Sequence, residues 1–474
     1  MSPSLATCIY IVAIFGLFCL NRDKSEHTSR ALWIPVIWFF LTGSRPVSVW
    51  LGIAPPSSAI AQQMDGTPAD RLVFTILIIF GLAILVRRGQ RVLSVLANNW
   101  AILLYFFYCL LSVVWSDFPD VSIKRWIKAT GDVVMALIVV TDGQPIAALR
   151  RLFSRVGFLL MPLSILFIKY YPYLGRLFNP WTGAPENTGV AMNKNMLGVT
   201  TLVLGLGTLW QVSLLWKKSD QPNRFRRLAA QCILLGLVIW VLFNAHSATS
   251  GACFVFGGGL MLATRSTKIR RRPAAVHVLV LGVLLIGGLA VLTGGDSGVI
   301  HAMGRNSNLT GRTEIWQRVI PMAPNAVVGA GFESFWLGPR LEKLWHSGYA
   351  FAINEAHDGY IEVYLELGWV GVGLIALILT HGYRRSIAAF RVDPSSGSLM
   401  LAYVLATPLY NITEAGFRML DPAWSFLLLA IISASRILAL AKEKENVTKP
   451  DAIPVEPAPW PAIGQQTTSV LVRR

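Results

Sequence analysis

Long, mainly apolar runs recur along the whole 474-residue chain, and no other feature limits its fold so tightly. A backbone N–H or C=O left unpaired in hydrocarbon costs several kcal/mol, so a bilayer-crossing segment must be a helix or part of a closed barrel. The runs lack the alternation of barrel strands, which leaves helices. They predict thirteen spans, near 5–20, 31–43, 70–86, 100–115, 127–141, 157–171, 195–216, 228–243, 251–264, 276–293, 359–380, 397–410 and 424–440. One of these is marginal, so the expected fold is an all-α integral membrane protein with about 12–13 transmembrane helices.

Composition agrees. Only 14% of residues are charged, against about 25% in soluble domains, and the mean hydropathy is +0.54. The remaining charge is lopsided, with 42 Lys and Arg against 25 Asp and Glu, a formal +17. In a soluble chain that excess would suggest a nucleic-acid partner. Here the basic residues gather on every second loop: Arg22/Lys24/Arg30, Arg87/Arg88/Arg91, Arg150/Arg151/Arg155, Lys217–Arg227, Arg265–Arg272 and Arg384/Arg385/Arg391. The tail from Lys442 falls on the same side. Positive loops stay in the cytoplasm, so the excess reads as topology, the C-terminus is expected to be cytoplasmic, and nucleic acid is not an expected partner.

The expected organisation is ten transmembrane helices over 1–293, a long folded periplasmic loop over 294–358, three more helices over 359–440 and a disordered cytoplasmic tail over 441–474. The run at Leu5–Leu20 lacks a basic flank and an A-x-A cleavage site, so it reads as a span rather than a signal peptide. Cys8, Cys19, Cys109, Cys232 and Cys253 all lie in apolar runs without zinc or disulfide spacing, which makes them packing residues.

The chain has no P-loop, dinucleotide fingerprint, HExxH or nucleophile elbow, so any chemistry must start from a substrate activated beforehand. No cofactor or metal is expected. The polar groups that could act stand at the outer ends of spans. Asn193-Lys194-Asn195 opens the seventh span, and an ammonium between two amides at a helix N-terminus suits phosphate. The same residues would equally serve as a snorkelling lysine with two caps. In the long loop, Gly311-Arg312-Thr313-Glu314-Ile315-Trp316 offers an arginine fork for phosphate, flanked by Arg305 and Arg318. A local Arg312–Glu314 ion pair is the plainer reading. Ala356-His357-Asp358-Gly359 puts an imidazole at the mouth of a span, where it could act as a base. Ser247, Thr249 and Ser250 read as caps, and Asn411-Ile412-Thr413-Glu414 places a carboxylate at an outer helix end.

In their order these segments resemble the O-antigen ligase/polymerase superfamily of integral-membrane glycosyltransferases. The resemblance rests on Asn193–Gly198, Ser247–Ser250, Gly311–Trp316, and His357 through Glu366-Leu367-Gly368-Trp369-Val370-Gly371. It covers roughly residues 95 to 435. Trp33–Pro35, Ser44–Trp50, Val114–Asp117 with Lys124-Arg125, and Asn411–Glu414 make it most similar to the exopolysaccharide polymerase branch. Two positions depart from the pattern: Gly251 stands where many members carry Arg or Lys, and Asp358 where many carry Asn.

The resemblance implies a glycan on undecaprenyl pyrophosphate, used at the periplasmic face of the bacterial inner membrane without a metal, with inversion at the anomeric carbon. It implies Arg312 and Lys194, with Asn193 and Asn195, on the pyrophosphate, and His357 as base toward the acceptor hydroxyl, with Arg312 and His357 as the catalytic pair. Arg305, Arg318, Asp358 and Glu414 rank second. A chain-length regulator and export machinery are possible partners. An O-antigen ligase that transfers to a lipid A core shares this donor chemistry. A polysaccharide transporter would instead place ionisable groups deep in its spans, where Asp132 is the main candidate.

Overall fold

A computed structural model of the protein describes residues 1–23, 26–53, 64, 66–178, 183–217, 223–264, 266–270, 272, 274–278, 280–282, 285, 312–346 and 353–448. These residues are almost wholly helical. The first half holds α1 (Pro3–Leu20), α2 (Trp33–Thr42), α3 (Pro68–Arg88), α4 (Gln90–Ala97), α5 (Trp100–Leu111), α6 (Pro119–Val140) and α7 (Pro145–Tyr170). The second half holds α8 (Lys194–Lys217), α9 (Arg224–Asn244), α10 (Ala248–Ala263), α11 (Arg312–Val319), α12 (Gly338–Trp345), α13 (Gly359–Val392), α14 (Pro394–Tyr410) and α15 (Pro422–Thr448). Between α7 and α8, strands β1 (Arg176–Phe178) and β2 (Pro185–Asn187) pair antiparallel, with Leu177 opposite Glu186.

Twelve of the thirteen expected spans coincide with a helix, and the run at 276–293 lies largely outside the described residues. Among the described residues seven helices are long and apolar enough to cross a membrane: α1, α3, α7, α8, α9, α13 and α15. The others fall short for separate reasons. α2 and α10 are short, and α4 and α5 meet at an 86° bend. α6 has length enough but carries Asp120, Lys124, Arg125, Lys128 and Asp132. Apolar composition therefore marks the helices, seven of which pass on length and hydropathy as single crossings among the described residues. α15 continues to Thr448, past the expected start of the tail at 441, and the rest of the tail lies outside the described residues.

α7, α8, α14 and α15 form the centre. There the Phe153 ring stacks on Tyr403 at 6.1 Å and on Phe426 at 5.5 Å. Gly207 lets α8 close on Phe153, because a Cβ there would sit 2.4 Å from the ring. α9 packs antiparallel on α8, and α13 packs on α14 and α15, around this centre, while α1 and α3 lie at the rim. Asp132 on α6 is tied down: Trp38 Nε1 donates to it at 2.8 Å and the Leu420 N–H at 3.1 Å.

α13 is broken rather than continuous. At 34 residues it would be about 50 Å long, well beyond a hydrocarbon core of about 30 Å. Gly368 interrupts it at φ +62°, ψ −165°, backbone that is almost exclusive to glycine. The freed groups are taken up by the preceding loop. Trp369 N–H donates to Ala326 O, Val370 N–H to Val327 O, Ala330 N–H to Leu365 O and Gly331 N–H to Glu366 O. The Glu-Leu-Gly motif is thus a break in a helix into which the loop is stitched. That loop has its own small core, built on Ile315, Val319, Phe335, Trp336, Leu341 and Ala356. A Cβ at Gly368 would lie 2.2 Å from the Val327 carbonyl. Gly368→Ala should therefore destabilise the protein by at least about 1–3 kcal/mol, read as a lower thermal midpoint in detergent. An unchanged midpoint would contradict the stitched break.

Candidate active site

The first turn of α8, the start of α11, the entry to α13 and the segment after α14 meet at one end of the bundle. α8 is positioned there by a close approach. A Cβ on Gly198 would lie 2.6 Å from Ser247 Cβ and 2.7 Å from Ser250 Oγ, so this glycine lets α8 and α10 touch. Ser247 makes no side-chain cap bond to α10; its hydroxyl donates to Ser250 Oγ at 2.9 Å. Thr249 reaches across to Thr413 at 2.7 Å, which ties the turn to the Asn411–Glu414 segment. Gly251 faces open space.

Glu414 is the hub. Its buried carboxylate accepts from Arg312 Nη2 at 2.9 Å through Oε1 and from Asn195 Nδ2 at 2.9 Å through Oε2. His357 Nδ1 lies 3.8 Å from the same Oε2. Arg312 is itself buried, and its partner is Glu414, 102 residues away, rather than the neighbouring Glu314. Three residues on three distant segments thus converge on a carboxylate ranked only second from the sequence.

The backbone around His357 is clamped on both sides. Ala356 N–H donates to Glu362 Oε2 at 2.9 Å, Trp316 Nε1 donates to Ala356 O at 2.8 Å, and Gly359 N–H donates to Asn411 O at 2.8 Å. The clamp holds His357 at φ +51°, a left-handed conformation that costs a non-glycine residue about 1 kcal/mol or more. It also gives Trp316 its purpose in the Gly311–Trp316 segment. Asp358 is the N-cap of α13, its Oδ1 accepting from Tyr360 N and Ile361 N at 2.9 Å. Burial pushes its carboxyl up to about 6.

Two residues of the cluster escaped notice in the sequence. Glu355 lies 2.9 Å from His357 Nδ1 through Oε1 and accepts from Arg418 Nη1 at 3.0 Å through Oε2. Arg418 also stands 3.6 Å from Glu362. Each adjoins a noted position, Glu355 two residues before His357 and Arg418 four after Glu414, but loop charges carry no periodic signal. Burial alone would raise the Glu355 carboxyl, yet His357, Arg418 and Arg312 bring it down to about 2. Burial likewise opposes protonation of His357, but Glu355 and then Glu414 lift it to about 10. His357 is therefore an imidazolium at neutral pH. Burial works against the charge of Arg418, and Glu362, Glu333 and Glu355 outweigh it.

A cleft of about 310 Å³ opens beside this cluster, lined by Asn193, Asn195, Glu355, Glu414, Arg418 and Lys128 among others. Arg312 and His357 are not in its lining; they meet it through Glu414 and Glu355. Asn193 Oδ1 accepts from Met196 N at 2.8 Å, a cap on α8. Lys194 turns to Glu186 on β2 at 2.6 Å. Arg318 is exposed in the last turn of α11, and Arg305 lies outside the described residues. Among the described residues no group of three or more His, Cys, Asp or Glu is arranged to hold a metal.

The pairing has a defined pH dependence. His357 shifts from 6.5 to about 10, so its contribution to stability is complete below about pH 6.5 and lost as the pH rises through 10. Glu355 shifts from 4.5 to about 2, so its contribution is complete above pH 4.5 and lost as the pH falls through 2. His357→Gln should therefore lower the thermal midpoint most near pH 6, with the difference shrinking toward pH 10. A difference that is constant across this range would contradict the ion pair.

A family model described as O-Antigen ligase matches residues 232–376. The match takes in Ser247–Ser250, Arg312, His357 and the break at Gly368, and ends before Glu414 and Arg418. The chain is also 24% identical over 391 residues to the "Exopolysaccharide production protein ExoQ" of Rhizobium meliloti (strain 1021), covering 78% of this chain and 84% of that protein. Residues 232–376 thus resemble an O-antigen ligase domain, within a membrane protein similar over most of its length to an exopolysaccharide production protein.

Proposed function

We propose that the protein is a membrane glycosyltransferase of exopolysaccharide production, joining glycan repeat units carried on undecaprenyl pyrophosphate. The observation that carries this reading is the convergence of Arg312, Asn195 and His357 on one buried carboxylate beside an open cleft. Two hydrogen-bond donors and an imidazole 3.8 Å away, held around an anion by distant segments, form a preorganised anion site, and the anion present at rest is the protein's own Glu414. The similarity to an exopolysaccharide production protein favours polymer synthesis. The O-antigen ligase model favours the same donor with a lipid A core as acceptor.

In the proposed reaction the donor pyrophosphate displaces Glu414 from Arg312 and Asn195. Arg312 and the His357 imidazolium then face the leaving group and stabilise charge as the C1–O bond to phosphate breaks. The acceptor hydroxyl attacks C1 from the opposite face, and the new C1–O bond forms with inversion. The displaced Glu414 carboxylate takes the hydroxyl proton, while the bond pair leaves with the pyrophosphate. The pairing with Glu355 favours this division of labour over proton acceptance by His357, because the imidazole already holds its proton. Lys194 contributes to the pyrophosphate site by exchanging Glu186 for phosphate. The cleft faces the periplasm and the C-terminus the cytoplasm of the inner membrane, as the basic loops imply. The tie of Asp132 to Trp38 and Leu420 makes it a structural group and weighs against transport.

Purified protein in liposomes, given lipid-linked repeat units alone, should yield a ladder of lengthening polymers. Arg312→Gln should slow it about 10²–10³-fold per molecule of folded protein recovered. Transfer solely to an added lipid A core would establish the ligase instead, and no product with either acceptor would overturn glycosyl transfer.

A further inference from the structure

A second cavity, of about 460 Å³, lies at the other end of the bundle, lined by the aromatic Phe18, Trp33 and Phe158, by Arg22, Arg151 and Arg155, and by the carboxylates of Asp23 and Glu26. It sits where the loop between α1 and α2 folds against the first turns of α7 and α9. Arg227 of α9 is part of that end, while Asn244 of the same helix accepts from Asn187 near Lys194. Those seventeen residues put the cavity about 25 Å from the Glu414 cluster along the bundle.

The charges around the cavity do not cancel. Glu26 pairs with Arg150 at 2.5 Å, Arg227 at 3.5 Å and Arg151 at 3.9 Å, and Asp23 pairs with Arg227. Arg151 is further committed to Thr28 Oγ1 at 2.6 Å and the Glu26 carbonyl at 2.5 Å. Three arginines thus share two carboxylates, and Arg22 and Arg155 stand in the lining beyond them. Arg155 takes part in none of the ion pairs among the described residues. Its guanidinium lies 4.3 Å over the Trp33 ring, and its buried Nη1 has no hydrogen-bond partner among the described residues. A buried guanidinium donor without an acceptor is costly, and an arginine fork matches phosphate oxygens two at a time. The aromatic walls of Phe18, Trp33 and Phe158 suit the uncharged part of a ligand.

We propose that this cavity binds a phosphate group, with Arg155 as the principal contact and Arg22 at its mouth. The site is separate from the glycosyl-transfer centre and stands or falls without it. The phosphate has two available sources, an anionic lipid headgroup of the adjacent leaflet and free inorganic phosphate.

Native mass spectrometry of the full chain in detergent tests this with phosphatidylglycerol, with and without 10 mM inorganic phosphate as competitor. The wild type should retain one phosphatidylglycerol, and Arg155→Gln should reduce retention about tenfold. Arg22→Gln, at an exposed position that leaves folding untouched, should reduce it less. Retention that persists against the competitor assigns the lipid headgroup. Retention abolished by the competitor, or phosphate binding alone by calorimetry, assigns the free ion, and both support the site. Equal retention in the wild type and both variants, or no binding of either probe, would overturn it.

Discussion

Arg312 and Glu414 are both buried, and each would be a severe cost alone. Removing one partner of such a pair leaves an uncompensated charge, which typically costs about 3–5 kcal/mol. The rest of the cluster follows from keeping that charge satisfied. Asn195 takes the second oxygen of Glu414, His357 approaches it, and Glu355 and Arg418 continue the alternation of charge outward. The resting site is a closed set of ion pairs in which Arg312, His357 and Arg418 are each held by a carboxylate. Such a site is preorganised for an anion but gives access only by exchange.

The architecture makes that arrangement rigid. Gly368 breaks α13, and the loop over Ala326–Gly331 supplies the hydrogen bonds that the broken helix needs. The loop carrying Arg312 and His357 is thereby fastened to a spanning helix rather than left over the surface. Trp316, Glu362 and Trp336 complete the fastening: both indoles donate hydrogen bonds, Trp316 to the Ala356 carbonyl and Trp336 to Glu362 at 2.7 Å. Gly198 does the same for α8 by letting it lie against Ser247 and Ser250. Gly198 and Gly368 therefore each have a packing reason that is independent of chemistry.

Much of this was legible in the sequence, with limits set by the physics of each signal. Apolar runs marked twelve helices because burial in lipid demands them. They could not tell a full crossing from a short helix such as α2 or α10, since both are equally apolar. Motif order singled out Arg312, His357, Asn195 and Glu414, but not their convergence, because pairing across 102 or 219 residues leaves no local trace. The local alternative, Arg312 with the exposed Glu314, gives way to Glu414 because the buried guanidinium needs a countercharge where water is excluded. Nothing in the sequence separates Glu355 and Arg418 from ordinary loop charges. Their importance is visible only when three dimensions place His357 on one oxygen of Glu355 and Arg418 on the other.

The central claim is that Glu414 holds the place of the donor pyrophosphate and then takes the acceptor's proton. Equilibrium binding of undecaprenyl pyrophosphate to the wild type and to Glu414→Gln, alongside polymerisation by both, tests it most directly. Removing the competing charge should tighten binding while abolishing turnover. Weaker binding by Glu414→Gln, or polymerisation at the wild-type rate, would contradict the exchange.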